Sequence, residues 1–278
     1  METRVCVVGL GQVGLPTARF IAERGLGVWG FDIAEEAVHR GQNSGIKATI
    51  KWDEIPPANV YVICVSTSLI DNRPDVTAVF NVCKKIARKA EERSLVSIES
   101  TVAPGTCRKI NEEIFGGSHS LIHVPHRFWA GDPEIHGVKQ ARVIGGVDSG
   151  SLEKGVDFYG RQLGVPLHKA PTIEVAEMSK VAENAYRYVQ IAFAEELCMI
   201  CEQSGLDFQE VRNACNTKWN IEILEAREGI EGHCLPKDIR YLASLSKNDS
   251  LLEPSIFTDN TYREWLKQRR NIAVIASR

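Results

Sequence analysis

The sequence has no apolar run that approaches the roughly 18 residues of a membrane-spanning helix. It also has no excess of one charge, because 33 Lys and Arg residues stand against 36 Asp and Glu residues, a net charge of −3. A basic surface for nucleic acid is therefore not expected. The chain enters an apolar strand at Arg4 without the features of a secretory signal. We expect a cytoplasmic protein with neither membrane nor nucleic-acid partners.

A disulfide framework is missing as well, because the eight cysteines follow no regular spacing. Scattered cysteines are typical of a reducing compartment. Cys198 and Cys201 form a C-x-x-C pair, and His123 and His126 have a ligand-like spacing. The cysteine pair lies in a helical pattern, however, and no second pair completes a four-ligand site. We therefore expect no metal.

A glycine-rich turn follows the first strand and precedes a helical pattern. It reads Gly-Leu-Gly-Gln-Val-Gly at residues 9–14. This context makes a G-x-G-x-x-G match a dinucleotide-binding fingerprint. Gly9 permits the tight turn, Gly11 lets the backbone approach a pyrophosphate, and Gly14 lets helix and strand pack closely. The residues expected to bind the phosphates, with the help of the helix N-terminus, are Gly9, Gly11, Gln12, Val13 and Gly14.

The second strand, over residues 27–31, ends in Asp32. A carboxylate at this position accepts hydrogen bonds from a ribose 2′-hydroxyl and repels a 2′-phosphate. The residues that follow it, 33–36, contain no Arg to bind such a phosphate. The sequence therefore predicts NAD rather than NADP as the cofactor.

Strands and helices continue to alternate as far as about residue 168. The expected strands cover residues 60–65, 95–98, 121–124 and 141–146, and the expected helices cover residues 76–93 and a segment from about residue 107. Alternation of this kind predicts a doubly wound parallel sheet, a Rossmann fold, with its site at the carboxyl ends of the strands. Thr67 and Thr101 lie at such ends. Each residue also suits a turn or a helix N-cap, and both interpretations stay open here.

The second half is helical and contains a polar pair. Residues 173–204 form one long helical pattern without Pro or Gly, and Lys180 and Asn184 lie one turn apart on it. A cation and an amide in this arrangement can stabilise an alkoxide or hold a water, although a solvent-exposed pair would have the same spacing. A helix of this length also favours a homodimer formed through it.

Three segments are therefore expected: an NAD-binding domain over residues 1–168, a helical dimerisation domain over residues 169–250, and a short tail over residues 251–278. Within the second, residues 207–216 and 237–246 should form helices. In the tail, residues 272–275 could form a strand. The tail is too short for a third domain.

Cys234 lies two positions after Gly232, a small residue. A cation, Lys237, and a carboxylate, Asp238, follow it at three and four positions. This setting suits an accessible thiolate, and a thiolate beside NAD suggests oxidation of an aldehyde through a thiohemiacetal and a thioester. A buried cysteine in a helix-capping turn is the alternative.

Taken together, these segments resemble the nucleotide-sugar 6-dehydrogenases, which oxidise UDP-glucose, UDP-N-acetylmannosamine or GDP-mannose to uronic acids. The resemblance extends over roughly residues 4–246. Its motifs are Gly-Leu-Gly-Gln-Val-Gly at 9–14, Cys-Val-Ser-Thr at 64–67, Ser-Thr-Val-Ala-Pro-Gly-Thr at 100–106, Glu-Met-Ser-Lys at 177–180 with Asn184, and Gly-His-Cys-Leu-Pro-Lys-Asp at 232–238. The last two are specific to the family.

The resemblance implies a role for each matching residue. Cys234 would capture the aldehyde, Lys180 and Asn184 would stabilise the oxyanion, Asp238 would help to activate water, and Thr101 would position a water. The family reaction is a four-electron oxidation of a primary alcohol by two NAD⁺. Further cofactor contacts would come from Val65, Ser66, Thr67, Ser100 and Thr101. Substrate contacts would come from Arg127, Lys180, Asn184 and Gly232, in a pattern closer to the N-acetylhexosamine branch of the family.

The chain departs from the family in two places. Where the family usually has Pro-Glu, this chain has Pro125-His126, so His126 replaces a Glu assigned to the acyl-enzyme steps. A His can act as a general base near neutral pH. Family members also continue into a further nucleotide-binding domain of about a hundred residues, whereas only some forty residues follow Asp238.

Two other functions stay open. The chain could be a two-domain β-hydroxyacid-type dehydrogenase, which transfers one hydride and needs no cysteine. It could also be a non-catalytic NAD-binding relative. The first alternative also has a Lys with an Asn four residues on, so Cys234 is what distinguishes it from a nucleotide-sugar dehydrogenase. The set of Lys180, Asn184, Cys234 and Asp238 argues against the second, since a binding module has no need of it.

Overall fold

The computed structural model describes residues 3–129, 131–248 and 250–276. The contacts among these residues divide the chain into two compact units. The first unit contains residues up to 70 together with 74–180, and the second contains residues 71–73 together with those from 181 onward. The division at residues 168 and 250 that the sequence suggests stays a prediction.

The strands of the first unit form a sheet of the expected class. The strands are β1 (Arg4–Val8), β2 (Gly27–Phe31), β3 (Lys47–Thr49), β4 (Val60–Ile63), β5 (Ser68–Ile70), β6 (Arg73–Asp75), β7 (Leu95–Ile98), β8 (Ser120–His123), β9 (Arg142–Gly146) and β10 (Leu167–Lys169). Eight of the described strands form one sheet in the order β10-β9-β8-β7-β4-β1-β2-β3, and β5 pairs with β6. Neighbouring strands in the large sheet are parallel, except that β8 and β9 are antiparallel. The predicted α/β fold is confirmed, with a sheet that is mostly rather than wholly parallel.

Helices cover both faces of this sheet. The helices are α1 (Gly14–Glu23), α2 (Glu35–Asn43), α3 (Thr77–Ala87), α4 (Thr106–Ile110) and α5 (Ser149–Gly155), with a 3₁₀ turn at Trp52–Glu54. Two of them, α4 and α5, continue as π-helical segments at Asn111–Phe115 and Val156–Gln162. In β1, Val5 and Val7 join an apolar cluster with residues of α1, while Cys6 and Val8 join one with residues of α3. Burial on both faces explains why this strand is a continuous apolar run.

The second unit is helical. Its helices are α6 (Ile173–Gln203), which begins in the first unit and continues from Val181 in the second, α7 (Phe208–Cys215), α8 (Cys234–Ala243) and α9 (Leu252–Ala276). The predicted ranges of α6 and α7 are each correct to within one residue at either end. Among the described residues, no helix is long and apolar enough to cross a membrane.

The chain after residue 250 differs from the prediction. Residues 272–275, expected as a strand, belong to α9. A short apolar run does not distinguish strand from helix, and the helical pattern that precedes this run decides the outcome. Ile256 and Tyr262 of that pattern are buried. Helix α9 therefore packs on the rest of the second unit through the face that carries these two side chains.

The N-terminus of α8 also differs from the prediction. The helix begins at Cys234, three residues before the expected start at Lys237. Pro236 suggests a later start, but a proline fits the first turn of a helix, where its missing N–H would have no partner. Cys234 is therefore the first residue of a helix.

Glu195 of α6 is a buried acid with an unusual pKa. Its side chain is 0% exposed. Burial, followed by the negative charge of Asp259, raises the pKa of Glu195 to about 8, while the positive charge of Arg263 opposes this shift. In the unfolded chain the carboxyl would titrate near 4.5, so folding takes up a proton between these two pH values.

We expect the stability of the protein to fall as the pH rises from about 4.5 to about 8, and Glu195→Gln to remove this part of the pH dependence. At pH 8 the variant should be more stable than the wild type by on the order of 4 kcal/mol, and the difference should shrink toward pH 5. Urea unfolding at several pH values measures this. Glu196→Gln, at the exposed neighbouring position, is the control, and equal pH dependence in both variants would contradict the assignment.

Candidate functional site

The glycine-rich loop after β1 has the geometry of a dinucleotide cradle. Gly9 has φ +91°, and a Cβ built on it would lie 2.7 Å from the carbonyl oxygen of Cys64. A Cβ on Gly14 would lie 1.7 Å from the carbonyl oxygen of Gly9. A Cβ on Gly11 would meet no described atom within 4 Å. Gly9 and Gly14 are therefore required by packing, whereas Gly11 borders open space into which a phosphate would fit.

Asp32 is fixed to this loop. After β2, its Oδ2 accepts a hydrogen bond from the N–H of Leu10 at 2.6 Å, and its Oδ1 accepts one from Ala34 at 2.9 Å. A carboxylate has about four lone-pair positions, so these two bonds leave acceptor capacity for a ribose diol. The predicted ribose ligand thus lies beside the predicted phosphate loop.

The loops that follow β4 and β7 are joined to each other. Thr67 Oγ1 donates to the carbonyl oxygen of Thr101 at 2.9 Å, and Ser100 Oγ donates to that of Val65 at 2.6 Å. Ser66 lies between Val65 and Thr67 in the sequence and is exposed. The strands β7, β4, β1 and β2 are neighbours in the sheet, so the predicted cofactor residues share one edge.

Glu177 of α6 holds the turn before α4. Its Oε2 accepts the N–H of Gly105 at 2.6 Å and its Oε1 accepts that of Cys107 at 2.7 Å. The side chain is 0% exposed, and burial raises the pKa of Glu177. Gly105 has φ +89°, a conformation that glycine adopts readily. The sequence places Glu177 in a family motif without a role, although an acid on the buried stripe of a helix is itself a signal.

His126 lies inside the first unit rather than at its surface. It is 6% exposed, and its Nε2 contacts a carboxylate oxygen of Glu99 and, at 3.1 Å, Oγ1 of Thr17. Glu99 also accepts hydrogen bonds from Tyr159 and, at 3.1 Å, from Nη1 of Arg142. His126 therefore connects α1 to the loop after β7.

The charges in this network favour an ionised Glu99 and a neutral His126. Burial alone would raise the pKa of Glu99, but the positive charge of Arg142 and the hydrogen bonds from His126 and Tyr159 outweigh it and hold the pKa below its usual value. Burial and the positive charges of Arg142 and Lys180 lower the pKa of His126, against the opposing carboxylate. A catalytic role for His126 stays a prediction, and this enclosed position does not favour it.

The same network offers metal-ligand atoms. Cys64, Glu99 and His126 each contribute one, all within 4.8 Å of one another. Arg142 already neutralises Glu99, so a divalent cation would add positive charge to a buried site. Burial also raises the pKa of the Cys64 thiol well above its usual value. Hydrogen bonding, rather than a metal, therefore accounts best for this group.

In the second unit, α6 and α8 bring together Asn184 and Asp238. Asn184 Nδ2 donates to Asp238 Oδ2 at 2.5 Å, and the buried Asp238 also forms an ion pair with Lys237. The Lys237 ammonium lies 4.2 Å from the ring centroid of Tyr241. Asp238 is thus held from two sides.

Cys234 lies one helical turn before Asp238 and is exposed. As the first residue of α8, it lies at the N-terminus of that helix. Gly232, two residues earlier, has φ +89°. Cys234 is therefore accessible beside a helix N-terminus and within one turn of Asp238.

The two remaining predicted residues lie in the first unit. Lys180 precedes Asn184 by one turn of α6, and its charge contributes to the lowered pKa values of His123 and His126. Arg127 Nη1 donates to the carbonyl oxygen of Ala141 at 3.1 Å, and the Arg127 carbonyl oxygen accepts from Gln140.

A Rossmann sheet with this loop, followed by a helical unit on a long shared helix, is the architecture of a dinucleotide-binding dehydrogenase. Comparison with known proteins gives the family. The models for the NAD binding domain and the central domain of the UDP-glucose/GDP-mannose dehydrogenase family match residues 40–162 and 174–259. The chain belongs to this family.

Relatives agree with this assignment. A UDP-N-acetyl-D-mannosamine dehydrogenase of Methanocaldococcus jannaschii is 32% identical over 271 residues, 90% of this chain and 63% of that protein. The structure of such an enzyme from Pyrococcus horikoshii superposes with a TM-score of 0.91 at 28% identity, over 99% of this chain and 72% of that one. A Mycobacterium tuberculosis 3-hydroxyisobutyrate dehydrogenase shares the fold, with a TM-score of 0.74 at 16% identity, over 95% of this chain and 94% of that one. The chain spans less than two thirds of the length of the Methanocaldococcus relative.

Two glycine substitutions separate packing from cofactor binding. Gly14→Ala should destabilise the protein by roughly 3 kcal/mol or more, because its Cβ would overlap the carbonyl oxygen of Gly9. Gly11→Ala should change stability by less than about 1 kcal/mol but weaken NAD⁺ binding about tenfold or more, because its Cβ would enter the phosphate space. Urea unfolding and calorimetric titration with NAD⁺ measure the two effects. Unchanged NAD⁺ affinity in Gly11→Ala would contradict the placement of the phosphates.

Proposed function

We propose that the chain oxidises a primary alcohol of a nucleotide sugar to a carboxylate, with NAD⁺ as oxidant and Cys234 as nucleophile. The observation that carries this proposal is the arrangement of the second unit, in which an exposed Cys234 begins α8 and Asp238, one turn later, is hydrogen bonded to Asn184. A single hydride transfer needs no thiol, so a cysteine in this position favours the oxidation that passes through a thioester.

NAD rather than NADP is proposed because of Asp32. Its carboxylate is tied to the glycine-rich loop through Leu10, so it is held where a ribose 2′-phosphate would be repelled. Gly9, Gly11 and Gly14 with Gln12 and Val13 would hold the pyrophosphate. The joined loops of Val65 to Thr67 and of Ser100 and Thr101 would hold the nicotinamide half. When bound, the oxidised nicotinamide accepts hydride, one for each dinucleotide.

The proposed sequence of bond changes balances with two NAD⁺ and one water. The alcohol loses a proton and a hydride to become an aldehyde, and the Cys234 sulfur adds to the aldehyde carbon. Loss of a second hydride and of the hydroxyl proton from the thiohemiacetal gives a thioester, which water cleaves to the carboxylate and the free thiol. Lys180 and Asn184 would stabilise the oxyanions, and Asp238 and Thr101 would position or activate water.

For the substrate class we propose UDP-N-acetylhexosamines. The relatives at 32% identity are named UDP-N-acetyl-D-mannosamine dehydrogenases, and Arg127 and Gly232 fit that branch of the family. These two residues, with Lys180 and Asn184, are the proposed substrate contacts. The eight free cysteines suit a reducing compartment, for which we propose the cytoplasm.

Purified protein should form two NADH per sugar with at least one of UDP-N-acetylmannosamine, UDP-N-acetylglucosamine, UDP-glucose or GDP-mannose. Cys234→Ser should form no acid, because serine cannot give the thioester, whereas Cys215→Ser should behave as the wild type. NADH absorbance and mass spectrometry of the product measure both results. One NADH per substrate in wild type and Cys234→Ser alike would indicate a single-hydride dehydrogenase. Clear NAD⁺ binding without turnover of any sugar would contradict the proposal.

We also propose a homodimer formed through α6. Tyr186, Phe193 and Ile200 are 66%, 56% and 49% exposed, and their spacing of seven residues places them on one stripe of the helix. Trp219, after α7, is 92% exposed. Large exposed side chains in a row of this kind are typical of a surface that another chain covers.

Phe193→Glu should convert the dimer to a monomer, because it places a charge in the centre of this apolar stripe. The control is Phe257→Glu on α9, an equally apolar and exposed position (71%) away from the stripe. Light scattering after size-exclusion chromatography measures the mass. A wild type that is monomeric at micromolar concentration, or a dimeric Phe193→Glu, would contradict the proposal.

A further inference from the structure

The turn that leads into Cys234 has little regular structure of its own. Between the end of α7 at Cys215 and the start of α8 lie eighteen residues without helix or strand. Gly229 and Gly232 have positive φ values of 95° and 89°. The position of Cys234 therefore depends on what holds this segment from outside.

One face of α9 holds it. Tyr262 Oη donates to the carbonyl oxygen of Arg227 at 2.9 Å, and Arg270 forms an ion pair with Glu228. These bonds fix the two residues that precede Gly229. Both come from side chains at helical spacing on the same helix.

Asp259 and Arg263 bind the next residue, Ile230, at both of its backbone groups. Asp259 Oδ1 accepts the N–H of Ile230 at 2.7 Å, and Arg263 Nη2 donates to the Ile230 carbonyl oxygen. Arg263 Nε also donates to both carboxylate oxygens of Asp259, at 3.0 and 3.1 Å. A guanidinium group and a carboxylate thus bind both backbone groups of one residue, four positions before Cys234.

Gly229 fits against this pair. A Cβ on Gly229 would lie 2.7 Å from Nε of Arg263, so the guanidinium group occupies the space that a side chain would need. Ile230 itself is 2% exposed and belongs to the apolar cluster that contains Ile239 of α8. The turn is therefore fixed by polar contacts to α9 and by apolar packing under α8.

Asp259 also connects this turn to the helix that holds Asn184. Tyr188, one turn after Asn184 in α6, donates its hydroxyl to Asp259 Oδ2 at 3.0 Å. Asn184 in turn donates to Asp238 in α8. The same three helices therefore fix the Cys234 turn and the Asp238 side chain.

We propose that Asp259 and Arg263 are positioning residues for Cys234, and that α9 sets the reactivity of this thiol by holding the turn that precedes it. The proposal takes Cys234 as the reactive thiol and so rests on the proposed function. Cys234 benefits from the dipole and N–H groups of α8 only while it stays at the first position of the helix. A loosened turn at Ile230 removes that constraint.

The rate at which iodoacetamide alkylates Cys234, measured by mass spectrometry of its peptide from pH 6 to pH 10, tests this without NAD⁺ or sugar. Cys234 is the exposed one among the eight cysteines. Arg263→Gln and Arg263→Lys should both slow alkylation about three- to fivefold at pH 7, with little change at pH 10. Lysine retains the positive charge but lacks the planar guanidinium group, which can donate several hydrogen bonds in a fixed geometry. The control is Arg269→Gln, on the same helix, whose arginine pairs with Glu202 instead.

The outcomes are separable. Profiles of both Arg263 variants that coincide with the wild type would overturn the proposal. A wild-type profile in Arg263→Lys alone would also overturn the proposal, because the positive charge of residue 263, rather than the position of the turn, would then set the alkylation rate. Should the Arg263 variants not fold, Tyr262→Phe decides, because it leaves Asp259 and Arg263 in place and removes the hydroxyl that bonds to Arg227 and to Cys198: slower alkylation at pH 7 supports the proposal and a wild-type profile overturns it. Absence of sugar turnover would count against the proposed function, but the alkylation rates could still be compared, because they are measured without NAD⁺ or sugar.

Discussion

Hydrogen bonds from backbone N–H groups to side-chain carboxylates hold the three loops on which the proposed chemistry depends. Asp32 holds the glycine-rich loop, Glu177 holds the turn before α4, and Asp259 holds the turn before α8. A loop has few backbone partners of its own, and a carboxylate supplies strong acceptors at a fixed place. Burying such a charge is unfavourable unless it is fully bonded, so each acid also fixes its donors. The same hydrogen bonds therefore fix the loops in place and provide the donors that the carboxylates need.

These contacts explain how far the sequence predicts the structure. The bounds of β1, β2 and β7 are predicted correctly, because buried strands between turns give a clear local signal. Glu177 bonds to a residue 72 positions away and Asp259 to one 29 positions away, and no local pattern contains such pairings. The tail prediction fails for a different reason. The expected strand at residues 272–275 is wrong because a short apolar run fits a strand and a helix equally well, and here it continues the preceding helical pattern.

The cysteines show how burial distinguishes the proposed nucleophile from other thiols of the chain. Burial raises the pKa of Cys6 and Cys83 to about 12, and raises those of Cys64 and Cys107 well above the usual value for a thiol. Such thiols pack as small apolar side chains and do not form thiolates near neutral pH. Cys234 differs in being exposed at a helix N-terminus. The sequence identifies it by motif, whereas the structure supplies the physical difference from the other seven.

Position 126 shows the limit of inference from residue type. A histidine where the family has a glutamate suits a general base, and it equally suits an internal hydrogen-bond partner. The direction of the side chain decides between these roles, and here Nε2 faces Glu99 and Thr17. A second carboxylate in that orientation would lie against the ionised Glu99, which is already paired with Arg142. A neutral His126 that donates to Glu99 avoids this repulsion. The substitution is therefore explained by the network beneath α1, whether or not the residue takes part in a reaction.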